Sequence, residues 1–512
     1  MTETLLSVED VTISFGEVRA LNGIDMTIST GEIRCLVGEN GCGKSTLVKI
    51  ISGVYHPSAG EVRIAGQKVD NHDPRAAIAA GIQVIYQDLS LFDHLTVAEN
   101  IAINLMLHNG TRLVNRRQIH EIAREQLDRI GVDLPLNAMV STLSIASKQL
   151  VAIARALSMD ARLLFMDEPT TALTTKEVER LLSIVRQLKA RGLSIVFISH
   201  KLDEVFDVAD TITVFRDGYK IGDFAADELD SASLAYHMTG REVLHLPYQR
   251  TVREDDESAP VLEVESLTRD GHYRDVSFAI RQGDVLGLTG LLGAGRTELA
   301  LTLFGLNPAT SGRTLMDGKP IDIDAPWTAM HAGIALVPED RSTQGLFNEQ
   351  TISGNVSSTR LDFILNRWRL LSRSKEAELA TQTVHSMGVN NKNIEAIAGN
   401  LSGGNQQKVV IGKWIASDPR VFILDSPTVG IDIGSKSEIY DKIQRLAAAG
   451  MAVVLISDEP EEIIANCNRV LVMHEGDVIA SFDDQQRQAS GFKEQLAAII
   501  ADPTIAESGA PR

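Results

Sequence analysis

The chain repeats itself, and this repetition limits the folds open to it more than any other feature. Residues 33–38 recur in pattern as residues 285–290, which lie 252 positions later. Leu143-Ser144 recurs as Leu401-Ser402, and residues 165–167 recur as 423–425, both 258 positions later. Because order and spacing are kept while the offset grows by only six, the sequence predicts two copies of one domain.

The boundaries of the two copies follow from local composition. We predict a first domain over residues 1–247, a linker over 248–260, a second domain over 261–501 and a flexible tail over 502–512. The linker segment YQRTVREDDESAP is polar and strongly charged, which is typical of a solvated spacer. The tail is short, polar and terminal, as frayed chain ends usually are.

Each copy alternates β-rich runs with helical patterns, which predicts an α/β domain with a largely buried parallel sheet. Residues 194–199 and 452–457 are continuously apolar and β-branched, so we expect two central strands. Between the carboxylates described below and the first of these strands, apolar residues from Leu181 to Leu188 recur at helical spacing. That helix should pack on the sheet.

Composition excludes several classes of protein. The formal charge of −19 argues against a polyanion such as nucleic acid as the main partner. No apolar run approaches the roughly 20 residues of a membrane-spanning helix, and the first residues lack the basic region of a signal peptide, so we expect a cytoplasmic location. The three cysteines lack C-x-x-C spacing, which predicts free thiols.

A phosphate-binding loop lies between an apolar strand and a helix in the first copy. Glycines allow backbone N–H groups to wrap phosphates, the lysine supplies a cation for the β and γ oxygens, and the serine hydroxyl can bind Mg²⁺. A glycine-rich strand-to-helix turn without ligand is the alternative. The loop comprises Gly38, Glu39, Asn40, Gly41, Cys42, Gly43, Lys44, Ser45 and Thr46.

A second strand, residues 163–167, ends in paired carboxylates. Paired acids at a strand end are more often solvated or capping groups, but here they follow a phosphate loop. In that setting Asp167 can hold the Mg²⁺ shell, and Glu168 can polarise the attacking water. The sequence therefore predicts an ATP-hydrolysing site in the first copy.

The segment LSGGNQQ, residues 401–407, resembles the signature of ABC ATPases and stands shortly before an Asp-bearing strand, as it does in that family. By the same resemblance Gln87 corresponds to the Q-loop, where it joins Ser45 and Asp167 around Mg²⁺, His200 to the switch histidine, and Phe15 to the aromatic that stacks on adenine. The tandem layout, VPEDR at 337–341 and LSGGNQQK at 401–408 are similar to ATPase subunits of monosaccharide importers of the ribose, galactose, arabinose and xylose type.

The resemblance implies two tandem P-loop ATPase domains, each with a mostly parallel core sheet, a small antiparallel β part and a helical subdomain. It also implies crossed ATP sites, each formed by the phosphate loop of one domain and the signature of the other. The first site then combines the intact loop, Gln87, Asp167, Glu168 and His200 with Ser402, Gly403 and Gly404. Every one of these residues matches the working pattern of the family.

The second site departs from that pattern. Its loop contains Gly290, Gly293, Gly295, Arg296 and Thr297, so arginine replaces the phosphate lysine, and the signature it would receive reads Ser144-Ile145-Ala146. At the repeat offsets, Glu339 stands in place of Gln87, Ser426 in place of Glu168 and Asp458 in place of His200. An arginine can still bind phosphate, but without a carboxylate base hydrolysis is not expected there. Whether the second site binds ATP stays open.

At three positions the sequence leaves more than one interpretation open. Cys42 is either a small residue tolerated in the loop or a thiol whose modification blocks phosphate, and we favour the former. Phe15 either stacks on adenine or packs under the sheet, and its family position favours stacking. In the second copy His272 and Tyr273 are the nearest aromatic candidates, and neither aligns with Phe15.

The predicted function is ATP hydrolysis that drives import of a monosaccharide or similar small polar solute. The implied cofactors are ATP and Mg²⁺. The implied partners are membrane permease subunits and, through them, a periplasmic or extracellular sugar-binding protein, which places the chain peripherally at the cytoplasmic face of the inner membrane. The alternative is a soluble tandem ABC ATPase that acts on ribosomes or DNA.

Overall fold

The computed structural model describes residues 3–16, 18–68, 73–108, 115–170, 173–241, 247–250, 259–291, 293–489 and 491–505. The chain divides into two compact units, Met1–Val243 and Leu244–Arg512. Each unit contains one copy of the repeat. The predicted linker and tail lie largely outside the described residues, at 251–258 and 506–512.

The first unit begins with two long strands, and its remaining elements alternate between strands and helices. Its strands are β1 (Thr4–Phe15), β2 (Val18–Ser29), β3 (Ile33–Gly38), β4 (Ala59–Ile64), β5 (Gln67–Lys68), β6 (Ile82–Ile85), β7 (Leu163–Asp167), β8 (Ser194–Ile198), β9 (Thr211–Arg216) and β10 (Tyr219–Ala225). Its helices are α1 (Lys44–Ile51), α2 (Pro74–Ala79), α3 (Val97–His108), α4 (Arg116–Arg129), α5 (Ile145–Leu157), α6 (Thr175–Ala190), α7 (Leu202–Val208) and α8 (Ser231–Thr239).

Among the described residues the strands of the first unit form two sheets. The larger has the order β10-β9-β3-β8-β7-β6, in which all neighbours are parallel except the edge pair β10 and β9. The smaller is antiparallel, with the order β2-β1-β4-β5. Strand β8 is buried along its whole length, and α6 buries the apolar face from Leu181 to Leu188. Both confirm the sequence predictions, because a strand covered on both faces must be apolar throughout.

The second unit repeats this order of elements. Its strands are β11 (Leu262–Arg269), β12 (Tyr273–Ile280), β13 (Val285–Gly290), β14 (Ser311–Met316), β15 (Lys319–Ile321), β16 (Ile334–Val337), β17 (Val421–Asp425), β18 (Ala452–Ile456), β19 (Arg469–His474) and β20 (Asp477–Phe482). Its helices are α9 (Arg296–Leu303), α10 (Pro326–His331), α11 (Ile352–Ser357), α12 (Arg373–Met387), α13 (Gly403–Ile415), α14 (Ile433–Ala448), α15 (Pro460–Asn466), α16 (Asp484–Arg487) and α17 (Phe492–Ala501).

The sheets of the second unit have the same topology in the described residues. The larger has the order β16-β17-β18-β13-β19-β20 with an antiparallel edge at β20, and the smaller has the order β12-β11-β14-β15. In each unit one group of helices packs together beside the larger sheet, α3 to α5 in the first and α11 to α13 in the second. The predicted fold class, with parallel core, antiparallel part and helical part, is confirmed.

The predicted start of the linker differs from the structure. Tyr248 is only 5% exposed and packs in the core of the second unit. Its hydroxyl donates a hydrogen bond of 2.8 Å to the carbonyl oxygen of Gly283, and its backbone N–H donates one of 2.8 Å to that of Ala465. Residues 248–250 therefore belong to the second unit, because one buried aromatic anchors a run whose average composition is polar.

Candidate functional site

The phosphate loop of the first unit joins the end of β3 to the start of α1. Lys44 is 8% exposed, and its Nζ donates hydrogen bonds of 2.7 and 2.9 Å to the carbonyl oxygens of Gly38 and Glu39. A Cβ on Gly38 would lie 2.2 Å from the carbonyl oxygen of Phe215, so no other residue fits there. The loop therefore holds an ammonium group among its own carbonyls at the N-terminus of a helix, where anions are favoured.

The carboxylates at the end of β7 lie beside this loop. The Ser45 hydroxyl lies 3.4 Å from Oδ2 of Asp167, which joins the loop to the first carboxylate. Burial and then the neighbouring Glu168 raise the pKa of Asp167, and Lys44 opposes them. The second carboxylate therefore adds negative charge beside an acid that is already partly buried.

Glu168 is the centre of a second set of contacts. Its Oε2 lies 3.4 Å from Nε2 of Gln87, and its Oε1 lies 3.2 Å from Nδ1 of His200. Its backbone has a positive φ of 47°, a conformation that non-glycine residues rarely adopt and that clusters at functional sites. Five predicted residues, on the loop and at three strand ends, are thus brought together: Ser45, Gln87, Asp167, Glu168 and His200.

The donor set of the first unit fits Mg²⁺. This ion uses few protein ligands and keeps phosphate oxygens and water in the rest of its shell. Asp167 and the Ser45 hydroxyl supply two such ligands, Gln87 contacts the adjacent Glu168, and the raised pKa of Asp167 indicates a carboxylate that a cation would stabilise.

Phe15 lies at the end of β1 and is 47% exposed, which argues against packing beneath the sheet. Its ring meets the ring of Tyr55 edge-on, with centroids 5.3 Å apart, and Nζ of Lys49 lies 5.4 Å from the centroid of Tyr55. Sequence reasoning missed Tyr55. An aromatic residue shortly after the loop helix was the available signal, but only the fold shows that it meets Phe15.

Cys42 lies inside the loop but is 3% exposed. Burial raises the pKa of its thiol, although Lys44 opposes the shift, so the reactive thiolate is disfavoured. All three cysteines are free and buried. The structure therefore supports a packing role for Cys42.

The loop of the second unit has the same backbone but a different charge arrangement. Arg296 is 6% exposed, and it keeps one contact of Lys44 in a longer form, a hydrogen bond of 3.4 Å from Nη2 to the carbonyl oxygen of Leu291, the equivalent of Glu39. Nη1 donates a hydrogen bond of 3.1 Å to the carbonyl oxygen of Ser457, and Nη2 is paired with the carboxylate of Asp458. Asp458 occupies the position of His200, and Arg296 occupies that of Lys44. The two substitutions, which the repeat offsets indicated separately, therefore contact each other.

The strand end of the second unit contains one buried carboxylate. Asp425 is 3% exposed, and burial raises its pKa to about 6, while a hydrogen bond from Thr297 opposes the shift. Its Oδ1 is buried without a hydrogen-bond partner among the described residues. The next position is Ser426, whose φ of 45° copies that of Glu168 although the acid is gone. This unit keeps a cation ligand but lacks the base.

The signature segment of the second unit starts α13, with Ser402 as its N-cap. A Cβ on Gly404 would lie 2.5 Å from Oγ of Ser435, and a Cβ on Gly403 would lie 2.8 Å from Nη2 of Arg341. A side chain at either position would therefore displace a neighbouring side chain, Ser435 or Arg341. Arg341 was not among the predicted site residues.

The corresponding helix of the first unit, α5, starts differently. Ser144 is its N-cap and accepts a hydrogen bond of 3.2 Å from the N–H of Ser147. The next residue, Ile145, is 51% exposed, so an apolar side chain stands where the second unit has Gly403. The first residue after the N-cap thus carries a large side chain in α5 and none in α13.

Comparison with known proteins gives consistent results. The family described as ABC transporter matches residues 21–171 and again residues 273–429. A putative ribose/galactose/methyl galactoside import ATP-binding protein of Pseudomonas syringae is 42% identical over 479 residues, which are 94% of this chain and 90% of that protein. A ribose import ATP-binding protein, RbsA 2, of Streptomyces avermitilis is 42% identical over 93% of this chain and 94% of its own length.

One solved structure among the matches is a nucleotide-free ATP-binding cassette from an ABC transporter. It is 26% identical, with a TM-score of 0.41, and the match covers 44% of this chain and 92% of that one.

Proposed function

Because the chain belongs to the ABC transporter family, with one family domain in each half, we propose that it hydrolyses ATP to drive import of a monosaccharide or a similar small polar solute. The observation that carries this function is the cluster around the first loop. Lys44, the adjacent pair Asp167 and Glu168, and His200 come from three different parts of the chain and meet at one edge of the larger sheet.

In the proposed reaction each residue of the first unit has a separate task. Lys44 leaves the loop carbonyls for the β and γ oxygens of ATP. Glu168 accepts a hydrogen bond from the attacking water and polarises it, while His200 keeps the carboxylate oriented through its 3.2 Å contact. Ser45, Gln87 and Asp167 would hold Mg²⁺, which neutralises charge on the phosphates. Phe15 provides a stacking surface for adenine.

We further propose that Ser402, Gly403 and Gly404 serve the nucleotide of the first unit. The two glycines that follow the N-cap of α13 support this assignment, since they carry no side chain of their own and N–H groups at a helix N-terminus bind phosphate. The second loop, with Gly290, Gly293, Gly295, Arg296 and Thr297, then holds nucleotide without hydrolysing it. Ser426 in place of a carboxylate is the reason.

The proposed partners are permease subunits and, through them, a sugar-binding protein outside the membrane. The relatives are described as import ATP-binding proteins, which supports such an assembly. In the described part of the chain, no helix is long and apolar enough to cross a bilayer. We therefore place the chain peripherally at the cytoplasmic face of the membrane, held there by its permease.

Co-purification with a permease from solubilised membranes, followed by ATPase assays in vesicles, tests this function. We expect a hydrophobic permease to copurify and ATP hydrolysis to rise when sugar-loaded binding protein is added. An active ATPase that associates with ribosomes or DNA and with no permease would overturn the proposal and favour the soluble alternative.

A further inference from the structure

A short hairpin projects from the helical part of the second unit, between α11 and α12. It is defined here as the basic hairpin, residues 365–371. Leu365 and Leu371 pair as an antiparallel bridge. The carboxamide oxygen of Asn366 accepts hydrogen bonds of 2.8 Å from the N–H of Trp368 and 3.1 Å from that of Leu370. The tip therefore has a fixed conformation.

The base of the basic hairpin is anchored in the domain core. Ile364 is 2% exposed, and its carbonyl oxygen accepts a hydrogen bond of 2.8 Å from the N–H of Ser372. Nζ of Lys375 donates a hydrogen bond of 2.6 Å to the carbonyl oxygen of Leu365. The tip is thus presented by a supported base and not by a loose loop.

The tip exposes large apolar side chains. Trp368 is 70% exposed, Leu370 63% and Leu371 64%. Leu361 and Phe363, a few positions earlier in the chain, are also exposed. A contiguous exposed patch of this kind marks an interaction surface, whereas scattered apolar residues do not.

Positive charge surrounds these apolar side chains. Residues 361–375 contain four cations, Arg367, Arg369, Arg373 and Lys375, and one carboxylate, Asp362, for a net charge of +3 in a chain of −19. The guanidinium of Arg367 lies over the ring of Trp368, 5.0 Å from its centroid. The basic hairpin therefore combines a tryptophan, leucines and arginines at one projecting tip.

Charge complementarity identifies the partner. Cytoplasmic loops of membrane proteins carry an excess of lysine and arginine. A permease surface of that charge would repel the basic hairpin, whereas it would attract the acidic remainder of the chain. Anionic lipid headgroups attract basic residues, and tryptophan and leucine enter the bilayer interface. We propose that the basic hairpin binds the anionic phospholipid surface of the membrane on which the chain works. This inference rests on the peripheral location proposed above.

Vesicle flotation of the full-length chain tests the proposal. The probes are vesicles of phosphatidylcholine alone and of phosphatidylcholine with phosphatidylglycerol. We expect preferential binding to the anionic vesicles that weakens as salt rises. The double variant Arg367→Gln/Arg369→Gln should bind them roughly 25-fold more weakly, at about fivefold per arginine. The matched control, Arg274→Gln/Arg313→Gln, removes two arginines that are 68% and 64% exposed on the same unit, and it should bind as wild type.

A fluorescence measurement reports on the tip directly. The chain has three tryptophans, so the difference spectrum between wild type and Trp368→Phe isolates the signal of Trp368. Anionic vesicles should shift this signal to the blue. Equal binding to both kinds of vesicle, equal binding by the two double variants, or an unshifted Trp368 signal would overturn the proposal.

Measurements of ATPase activity and of permease binding show whether a failure concerns the lipid proposal or the proposed function. The hairpin variants should keep basal ATPase activity, because no residue of the cluster around the first loop lies in residues 365–371. Normal vesicle binding with loss of the permease would assign the tip to a protein partner and contradict the lipid proposal. Absence of ATPase activity in wild type would contradict the function whatever the vesicles show.

Discussion

The two phosphate loops differ in chemistry while sharing one backbone. Gly38 and Gly290 both have φ of 149°, and Glu168 and Ser426 have φ of 47° and 45°. A Cβ on either glycine would lie within 2.2 Å of a carbonyl oxygen of the neighbouring strand. The fold itself therefore demands these conformations, so they persist where catalytic side chains have been lost. The backbone conformation of the loop is therefore weaker evidence that a unit hydrolyses ATP than the carboxylate of Glu168 beside the loop.

A second difference between the units concerns the groups that contact the cationic side chain of each phosphate loop. In the first unit the loop cation contacts backbone carbonyls, which a phosphate can replace easily. In the second unit Arg296 contacts the carbonyl oxygens of Ser457 and Leu291 and also the carboxylate of Asp458, which already carries the charge that a phosphate would bring. The charge of Arg296 is thus already balanced by a carboxylate of the same unit.

The signature helices differ in a matched way. The second unit combines Gly403 with Arg341, and the first unit has Ile145 and Leu89 at the equivalent positions. The guanidinium of Arg341 lies where a side chain on residue 403 would stand, and its Nη1 donates a hydrogen bond of 2.8 Å to the carbonyl oxygen of Val429. Gly403 and Arg341 therefore occur together in the second unit, where one leaves room for the other, and the first unit has neither.

The largest expected effect comes from Glu168→Gln. The amide keeps the volume of the side chain but removes the base, so steady-state ATP hydrolysis by the assembled transporter should fall by about 100-fold or more. Asp425→Asn in the second unit should weaken nucleotide occupancy and leave partial activity. Phosphate release measured on both variants checks this. Equal losses would contradict the division of labour between the two units.

Asp425→Asn should also change stability with pH. The pKa of Asp425 is raised to about 6 from an ordinary value of 3.8, so the cost of a buried carboxylate in the folded unit grows between about pH 4 and pH 6 and is fully present above pH 6. Without Mg²⁺ or nucleotide, the variant should be more stable than wild type by about 3 kcal/mol at pH 7. The gain should shrink as the pH falls toward 3.8 and vanish below it, where the aspartate is protonated in both states.

Thermal unfolding of the full-length chain at several pH values measures this difference. The matched variant Asp167→Asn in the first unit should give a smaller gain, because Asp167 is more exposed and interacts with Lys44. A gain for Asp425→Asn that stays constant between pH 4 and 7 would contradict the titration of this group.

Gly404→Ala should reduce hydrolysis by roughly tenfold, since its Cβ would lie 2.5 Å from Oγ of Ser435 and displace the start of α13. The mirrored variant Ala146→Gly alters the same position of α5 and should leave activity nearly unchanged. ATPase rates at saturating and low ATP separate a loss of binding from a loss of turnover. A comparable decrease in the mirrored variant would count against the assignment of α13 to the active nucleotide.

Local motifs were enough to predict the intact loop and the carboxylates, the resemblance to ABC ATPases implied the full fold class, and the repeat offsets located the degenerate positions. Four features needed the fold. Tyr248 is a single buried aromatic in a polar run, Tyr55 meets Phe15 only through tertiary packing, and Arg341 reaches Gly403 across 62 positions of chain. The pairing of Arg296 with Asp458 likewise depends on the side chains turning toward each other.

That pairing leads to the smallest expected effect. Asp458→Asn removes the carboxylate that competes with phosphate for Arg296, so the second unit should bind nucleotide about two- to fivefold more tightly. The gain is modest because the Asp458 side chain is 57% exposed and solvent screens the pair. Binding of a fluorescent ATP analogue in a Lys44→Ala background, which disables the first loop, measures this affinity. Asp458→Glu keeps the charge and should bind as the parent does, and unchanged affinity in Asp458→Asn would mean that the ion pair does not restrain the second loop.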